Sequence, residues 1–456
     1  MALSVPSSNA GSSSASFELV AQKLVYGGAA LGHHEGHPVL VAGAVPGERV
    51  EVETVRQAKG MIHARLLHVL APSAERVVAP CPYFGRCGGC HYQLLDAARQ
   101  LEAKREILRE TLRRIGGINW HGEIGLHSGD PWSYRNQVQL KIGRSDDGRA
   151  ALGFFEADSH RLVPIGACLI SSPRLNTIIA EMSQSAWIER LAGYDEVELF
   201  ADDQDEEVML TFRGGECSEA LAQDCLRDLP GVVGVAFEAE SKLRSSPAFG
   251  RPQGRLHPAR SQGTKVFGRE RLKYQVGDFR YEISPGSFFQ ASRFLLPEFV
   301  DEVAGGRGGL ALELYAGVGL FTLPLARRFS QVVAVEVSGL AAGDLKRNVA
   351  SAGAANVRPV CAKSAEFLRR YAQGPPDLAV LDPPRAGAEA ETLRLLSKLG
   401  PARIHYASCH PPTLARDLAF LLRHGYVLES VHLFDLFPQT FHIEALAKLT
   451  LSEVRA

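Results

Sequence analysis

The chain has 456 residues, a formal net charge of −1 and 45% hydrophobic residues, length for roughly two to four domains with ordinary cores. No stretch supplies the ~20 uncharged apolar residues of a membrane helix, since the best, 310–326, contains Glu313 and two glycines. The opening MALSVPSSNAGSSSAS lacks the basic and apolar regions of a signal peptide, so residues 1–15 read as a disordered tail.

Eight cysteines without such a signal point to a reducing, cytoplasmic compartment, where clustered thiols serve metals or catalysis. Charge is unevenly spread. Residues 198–228 hold ten acids and two bases, whereas 241–277 hold nine Lys/Arg and one acid. The basic stretch reads either as a phosphate contact or as a solvated loop.

From Phe17 to about Pro72, short β-type runs (FELVAQKLVY, HPVLVAGAVPG, RVEVETVRQ, MIHARLLHVL) alternate with Gly/Pro turns, the pattern of a small antiparallel barrel. The knot CPYFGRCGGCHYQLL follows, then an amphipathic helix over about 96–115 with Leu101, Ile107, Leu108 and Leu112 on one side. Residues from about 133 to 279 read as a mixed α/β domain. Beyond Phe279, the runs GLALELY, QVVAVEV, NVRPVCA, DLAVLD and RIHYASC are each followed by a helix-length segment, which predicts βαβ units and a parallel sheet. Two last strands, YVLESVHLFDLF and FHIEALAKLTL, have no helix between them.

The segment from Glu313 to Thr322, ELYAGVGLFT, lies where the first of these strands becomes a helix. Its glycines permit close approach of a ligand at the C-terminal edge of the sheet. Glu336 ends the second strand, placed to accept hydrogen bonds from ribose hydroxyls, and Asp382-Pro-Pro-Arg385 ends the fourth. Thr322 stands where a dinucleotide fold wants its third glycine. That favours S-adenosylmethionine, which has no phosphate, over a nicotinamide cofactor.

Cys409 ends the fifth strand and faces the same crevice. Most free cysteines are packed structural thiols. Here the following Pro-Pro presents the sulfur at a helix entrance, which predicts a lowered thiol pKa. Glu444 lies inside the apolar run IEALAKL; spacing alone makes it an exposed strand glutamate, whereas burial would make it a functional one. Cys81, Cys87 and Cys90, spaced by six and three positions, suit a metal or cluster. Their spacing leaves zinc, with His91 as fourth ligand, and an iron–sulfur cluster equally open.

Together LELYAGVGLFTLPLA, VVAVE, LDPPRAG, YASCHPPTLARDL, FPQTFHIEALAKL and SPGSFFQAS resemble the RNA (uracil-5-)-methyltransferases, nearest the iron–sulfur enzymes of large-subunit rRNA. The resemblance implies four parts: the tail at 1–15, an RNA-binding TRAM barrel at 16–75, an iron–sulfur segment with a central α/β domain at 76–279, and a Rossmann-like class I methyltransferase domain at 280–456. It implies cofactor contacts at Gln290, Tyr315, Glu336 and Asp382, a nucleophile at Cys409 and a base at Glu444. A four-iron four-sulfur cluster on Cys81, Cys87, Cys90 and Cys168 also follows.

Three positions depart from the family pattern: His410 replaces an Asn, Leu320 replaces a cofactor-contacting Asn, and Ser364 replaces an acid or amide. The expected partner is RNA, rRNA before tRNA, with no membrane and no obligate protein partner. The basic stretch with Arg251, Arg255 and Arg260, and the aromatic rings of Phe288, Phe289 and Tyr134, are the candidate RNA contacts. A non-catalytic RNA-binding protein with a vestigial methyltransferase fold is the rival reading.

Overall fold

The computed structural model describes residues 16–238 and 264–452. The tail at 1–15 and much of the basic stretch, including Arg251, Arg255 and Arg260, lie outside the described residues. No described helix is long and apolar enough to cross a membrane.

The N-terminal β-runs form one six-stranded sheet: Ser16–Val20, Lys23–Leu24, Ala29–His34, His37–Ala42, Arg49–Ala58 and Met61–Ala71. Alternation sorts its faces, with Val50 and Val52 buried alongside Val39 and Val41 while Glu51 and Glu53 stay partly exposed. The sheet curls until its first and third strands touch. A Cβ added at Gly32 would sit 2.6 Å from the Val20 carbonyl oxygen, so this approach requires glycine.

The barrel core does not end at the barrel. Leu19, Leu24 and Val39 belong to one apolar cluster with Leu108 and Leu112 of the helix Ala97–Gly116 and Leu414 and Leu418 of the helix Pro411–Arg423. Lys23 also pairs with Glu110 of the first helix at 2.5 Å. That helix matches the sequence expectation closely. Asp96 accepts the Arg99 N–H at its start, and Gly117, left-handed at φ 65°, ends it.

A central seven-stranded sheet spans 137–268 with helices Pro173–Met182 and Glu219–Asp228, and it has its own apolar core. Half of the ten acids of the acidic stretch are ion-paired: Glu198 with Arg213, Asp205 with Arg293, Glu207 with Arg269, and Asp224 and Asp228 with Arg227.

The third sheet has eight strands. Its order is Val357–Cys361, Phe329–Glu336, Gly308–Leu314, Leu378–Leu381, Arg403–Ser408, Glu444–Leu451, Tyr426–Phe434 and Ile124–His127. The five predicted strands pair in parallel, and Glu444–Leu451 runs antiparallel between its neighbours, giving a Rossmann-like methyltransferase layout. One assignment changes. Ile124–His127 pairs in parallel with Tyr426–Phe434 as the sheet's edge, and the helix Ala97–Gly116 packs on this domain, so part of the 76–279 segment builds the C-terminal unit. A four-residue strand carries too little periodicity to reveal which sheet it joins.

The loop 435–443, which joins the last two strands, is pinned from outside. The fully buried Lys104 donates to Asp435 Oδ1 at 2.6 Å and to the Phe437 carbonyl at 2.9 Å. Gln100 and Gln439 exchange two hydrogen bonds, the Tyr134 hydroxyl donates to the Pro438 carbonyl, and the His91 and Tyr92 N–H groups donate to the Gln439 carbonyl. Removing one partner of a buried ion pair strands the other charge. Lys104→Met should therefore cost about 3–5 kcal/mol in urea unfolding; a loss below about 1 kcal/mol would show that the pair is not the pin described.

Candidate active site

The first strand of the methyltransferase sheet ends at Leu314, and Tyr315 follows in the left-handed region at φ 64°, unusual for a tyrosine. Gly317 (φ 56°) and Gly319 (φ 97°) continue the turn. A Cβ added at Gly317 would meet nothing within 4 Å, so the turn borders open space. Glu336 holds it in place, accepting the Gly317 N–H at 2.8 Å and the Ser338 N–H at 2.7 Å. Gln290 is buried on the loop between Ile283 and Leu296. The Asn136 N–H donates to the Ala291 carbonyl and the Arg293 N–H to that of Tyr134, stitching this loop to the central domain. Asp382 ends the fourth strand.

These positions share one electrostatic feature. Burial pushes the Glu313 carboxyl up to about 8, helped by Asp382 and Glu336 nearby, and burial pushes Asp382 up to about 7. Glu313 accepts a hydrogen bond from Thr322, yet its Oε1 is buried with no partner. Burial disfavours the ionised forms of Glu313 and Asp382, so a positive charge brought to this turn would be stabilised by them. S-adenosylmethionine, whose sulfonium leaves it with a net positive charge, suits this set. In the sequence Glu313 heads the turn segment and interrupts an apolar run. That interruption was itself the signal of a buried acid.

Of the departures, Leu320 is buried in the apolar core beside the sheet, so it is a packing residue. Ser364, also buried, opens the helix Ser364–Arg370. His410 takes the N-cap of the helix Pro411–Arg423, its Nδ1 accepting the Thr413 N–H at 3.3 Å. An asparagine would do the same job, which accounts for the exchange.

Cys409 follows the strand Arg403–Ser408, whose antiparallel register sets Ser408 opposite Ala445. Continued by one residue, it sets Cys409 opposite Glu444. The glutamate is 1% exposed, not on an open face, with Oε1 unpartnered. Burial and the Asp382 charge hold its carboxyl well above the ordinary range.

The expected lowering of the Cys409 pKa is reversed. Burial first, then Glu444 and Asp382, push the thiol up to about 12. Arg385 opposes them and is the missed residue: it faces Cys409, Glu444 and Tyr26, and its Nη2 lies 3.5 Å from His442 Nδ1. Nothing in DPPR told which way it points.

Burial pushes the Cys87 and Cys90 thiols up, and behind it Cys168 and Cys81 act on both and Cys87 on Cys90, so the four cysteines of the two segments lie within electrostatic reach. The His91 ring instead packs edge-on to Phe441, 4.7 Å between centroids. Among the described residues no group of His, Cys, Asp or Glu converges to hold a single metal ion. Of the candidate stacking rings, Phe288 is 72% exposed while Phe289 and Tyr134 are core residues.

Because its thiol is raised, Cys409 should react slowly with iodoacetamide near pH 8, behind the exposed Cys217 and Cys361. Its rate should climb about tenfold per pH unit, and Arg385→Gln should slow it further. Peptide mapping by mass spectrometry reads this; Cys409 labelled first at pH 8 would contradict a protonated thiol.

Residues 259–451 match the tRNA (Uracil-5-)-methyltransferase family. A 23S rRNA (uracil(1939)-C(5))-methyltransferase RlmD from Alkalilimnicola ehrlichii is 34% identical over 94% of this chain and 96% of its own. Another RlmD, from Shewanella amazonensis, is 33% identical over 95% of each. The crystal structure of a Pyrococcus abyssi tRNA (uracil-54, C5)-methyltransferase with S-adenosyl-L-homocysteine superposes with a TM-score of 0.70 at 25% identity, covering 95% of this chain and 100% of that one. With relatives at this identity along almost its whole length, the chain belongs to the RNA (uracil-5-)-methyltransferase family.

Proposed function

We propose that the chain methylates carbon-5 of a uridine in large-subunit ribosomal RNA through a covalent adduct on Cys409. The observation that carries it is the register placing Cys409 and Glu444 side by side, with Asp382 and Arg385 against them. The relatives named RlmD, matched over nearly the full length, favour rRNA. The family match and the Pyrococcus abyssi structure, both named for tRNA, make tRNA the second reading.

Gln290, Tyr315, Glu336 and Asp382 would hold the cofactor. Bound there, S-adenosylmethionine supplies an electrophilic methyl group for carbon-5 and brings positive charge into the carboxylate crevice. With that charge and Arg385 in place, Glu444 and Cys409 can ionise. The Cys409 proton leaves to solvent and the thiolate bonds to carbon-6 of the uracil. The ring's π electrons shift onto the oxygen at carbon-4, so carbon-5 becomes nucleophilic. Once it is methylated, Glu444 removes its proton, the double bond re-forms and the carbon–sulfur bond breaks, returning the thiolate.

Cys81, Cys87, Cys90 and Cys168 would hold a four-iron four-sulfur cluster. Three thiols within ten residues, with Cys168 near enough to act on Cys87 and Cys90, support this reading. Gly88 allows it, since an added Cβ would lie 3.0–3.2 Å from Ala157 and Phe155 backbone atoms. The N-terminal barrel is assigned as a TRAM-type RNA-binding domain, and the free thiols suit the reducing cytoplasm.

With labelled methyl donor, the full chain should modify 23S rRNA in preference to bulk tRNA. Cys409→Ala should abolish transfer, and Glu444→Gln should accumulate a denaturation-resistant RNA adduct; methylation by Cys409→Ala would end the mechanism. Anaerobically purified protein should be brown and contain iron, lost in Cys168→Ser. Stoichiometric zinc without iron would overturn the cluster.

A further inference from the structure

Tyr26 stands on the turn between the barrel strands Lys23–Leu24 and Ala29–His34, closed by the Val25 N–H donating to the Ala29 carbonyl at 3.0 Å. Although it belongs to the N-terminal barrel, it reaches the catalytic turn. Its hydroxyl is 3.5 Å from the Cys409 carbonyl oxygen. Its ring meets His410 edge-on at 5.3 Å and Phe441 edge-on at 5.5 Å. Arg385, Cys409 and Glu444 are the charged or ionisable groups that act on its hydroxyl, which burial holds above the usual tyrosine range. The next turn residues seal the contact. A Cβ at Gly28 would fall 2.8 Å from the His91 ring, which itself packs on Phe441.

We propose that Tyr26 is a positioning residue for the Cys409–His410 turn, so that the N-terminal barrel completes the catalytic centre. This rests on Cys409 as the nucleophile. Within the turn, the His410 N–H donates to Ser408 Oγ, and Thr413 Oγ1 and the Leu414 N–H donate to the His410 carbonyl; the Cys409 carbonyl itself is met by Tyr26, from the barrel. The tyrosine ring fills the angle between the nucleophile turn and the loop leading to Glu444, holding the two at a fixed separation.

A barrel that only gripped RNA would act through RNA affinity. A barrel that sets the nucleophile acts on the covalent step. The test compares the full-length wild type with Tyr26→Phe and Tyr26→Ala, each first checked for thermal unfolding and S-adenosylmethionine binding. The substrate is the RNA class that the wild type methylates, transcribed once normally and once with 5-fluorouridine, whose fluorine cannot be removed as a proton and so preserves the adduct.

Tyr26→Ala should lower kcat and single-turnover adduct formation about 100-fold, as expected for displacing a reacting atom by ~1 Å, with KM for RNA within about twofold. Tyr26→Phe, which keeps the ring, should recover most of this, remaining within about tenfold of wild type. A raised KM with unchanged kcat, or wild-type adduct rates in both variants, would overturn the proposal while leaving the nucleophile in place. A wild type that methylates without leaving an adduct would remove the nucleophile and this role with it.

Discussion

Lys104 and Asp435 bury opposite charges against each other, with 0% and 5% of their side chains exposed, and the geometry of the catalytic end of the sheet hangs on that pairing. The loop from Asp435 to Ile443 has no regular structure, yet it must deliver Glu444 to one register position. Its restraints come from elsewhere: Lys104 and Gln100 on the first long helix, His91 and Tyr92 just after the cysteine knot, and Tyr134 at the edge of the central domain. Each is a buried polar contact, costly to leave half-made. The cysteine segment therefore sits one hydrogen bond away from the loop that leads to Glu444.

The crevice itself is built against its own stability. Glu313, Asp382 and Glu444 all hold protons more tightly than free carboxylic acids because burial denies their charges water. Burial thus favours the protonated forms of these groups and of the Cys409 thiol, and Arg385 opposes it at Cys409 and Glu444. A positive charge brought into the crevice would favour the ionised forms, so its binding and their ionisation would be linked.

Much of this was legible in the sequence. The five parallel strands, the turn at Gly317 and the placement of Cys409 at a strand end follow from period and punctuation. Glu444 was visible as a charge in an apolar strand, but only the register with Ser408 fixes what it faces. The thiol pKa had the wrong sign because a helix start was weighed and burial of the sulfur, followed by Glu444 and Asp382 beside it, was not. Arg385 and Tyr26 escaped for a different reason: direction and long-range contact leave no mark in local spacing. The short strand at Ile124 joined the C-terminal sheet by tertiary pairing that its four residues do not announce. His410 looked anomalous as chemistry and is ordinary as a helix cap.

Tyr26 and Cys409 are 383 residues apart in the chain, and the apolar cluster beneath them runs from the barrel into the last long helix. The barrel is made first on the ribosome, yet part of its interior waits for residues around Leu414 and Leu418 before it is covered. At ~5–20 residues per second, that interval is roughly 20–80 s. The nascent barrel thus spends it with an apolar flank exposed, a long-range closure of the kind that slows folding and invites chaperone attention.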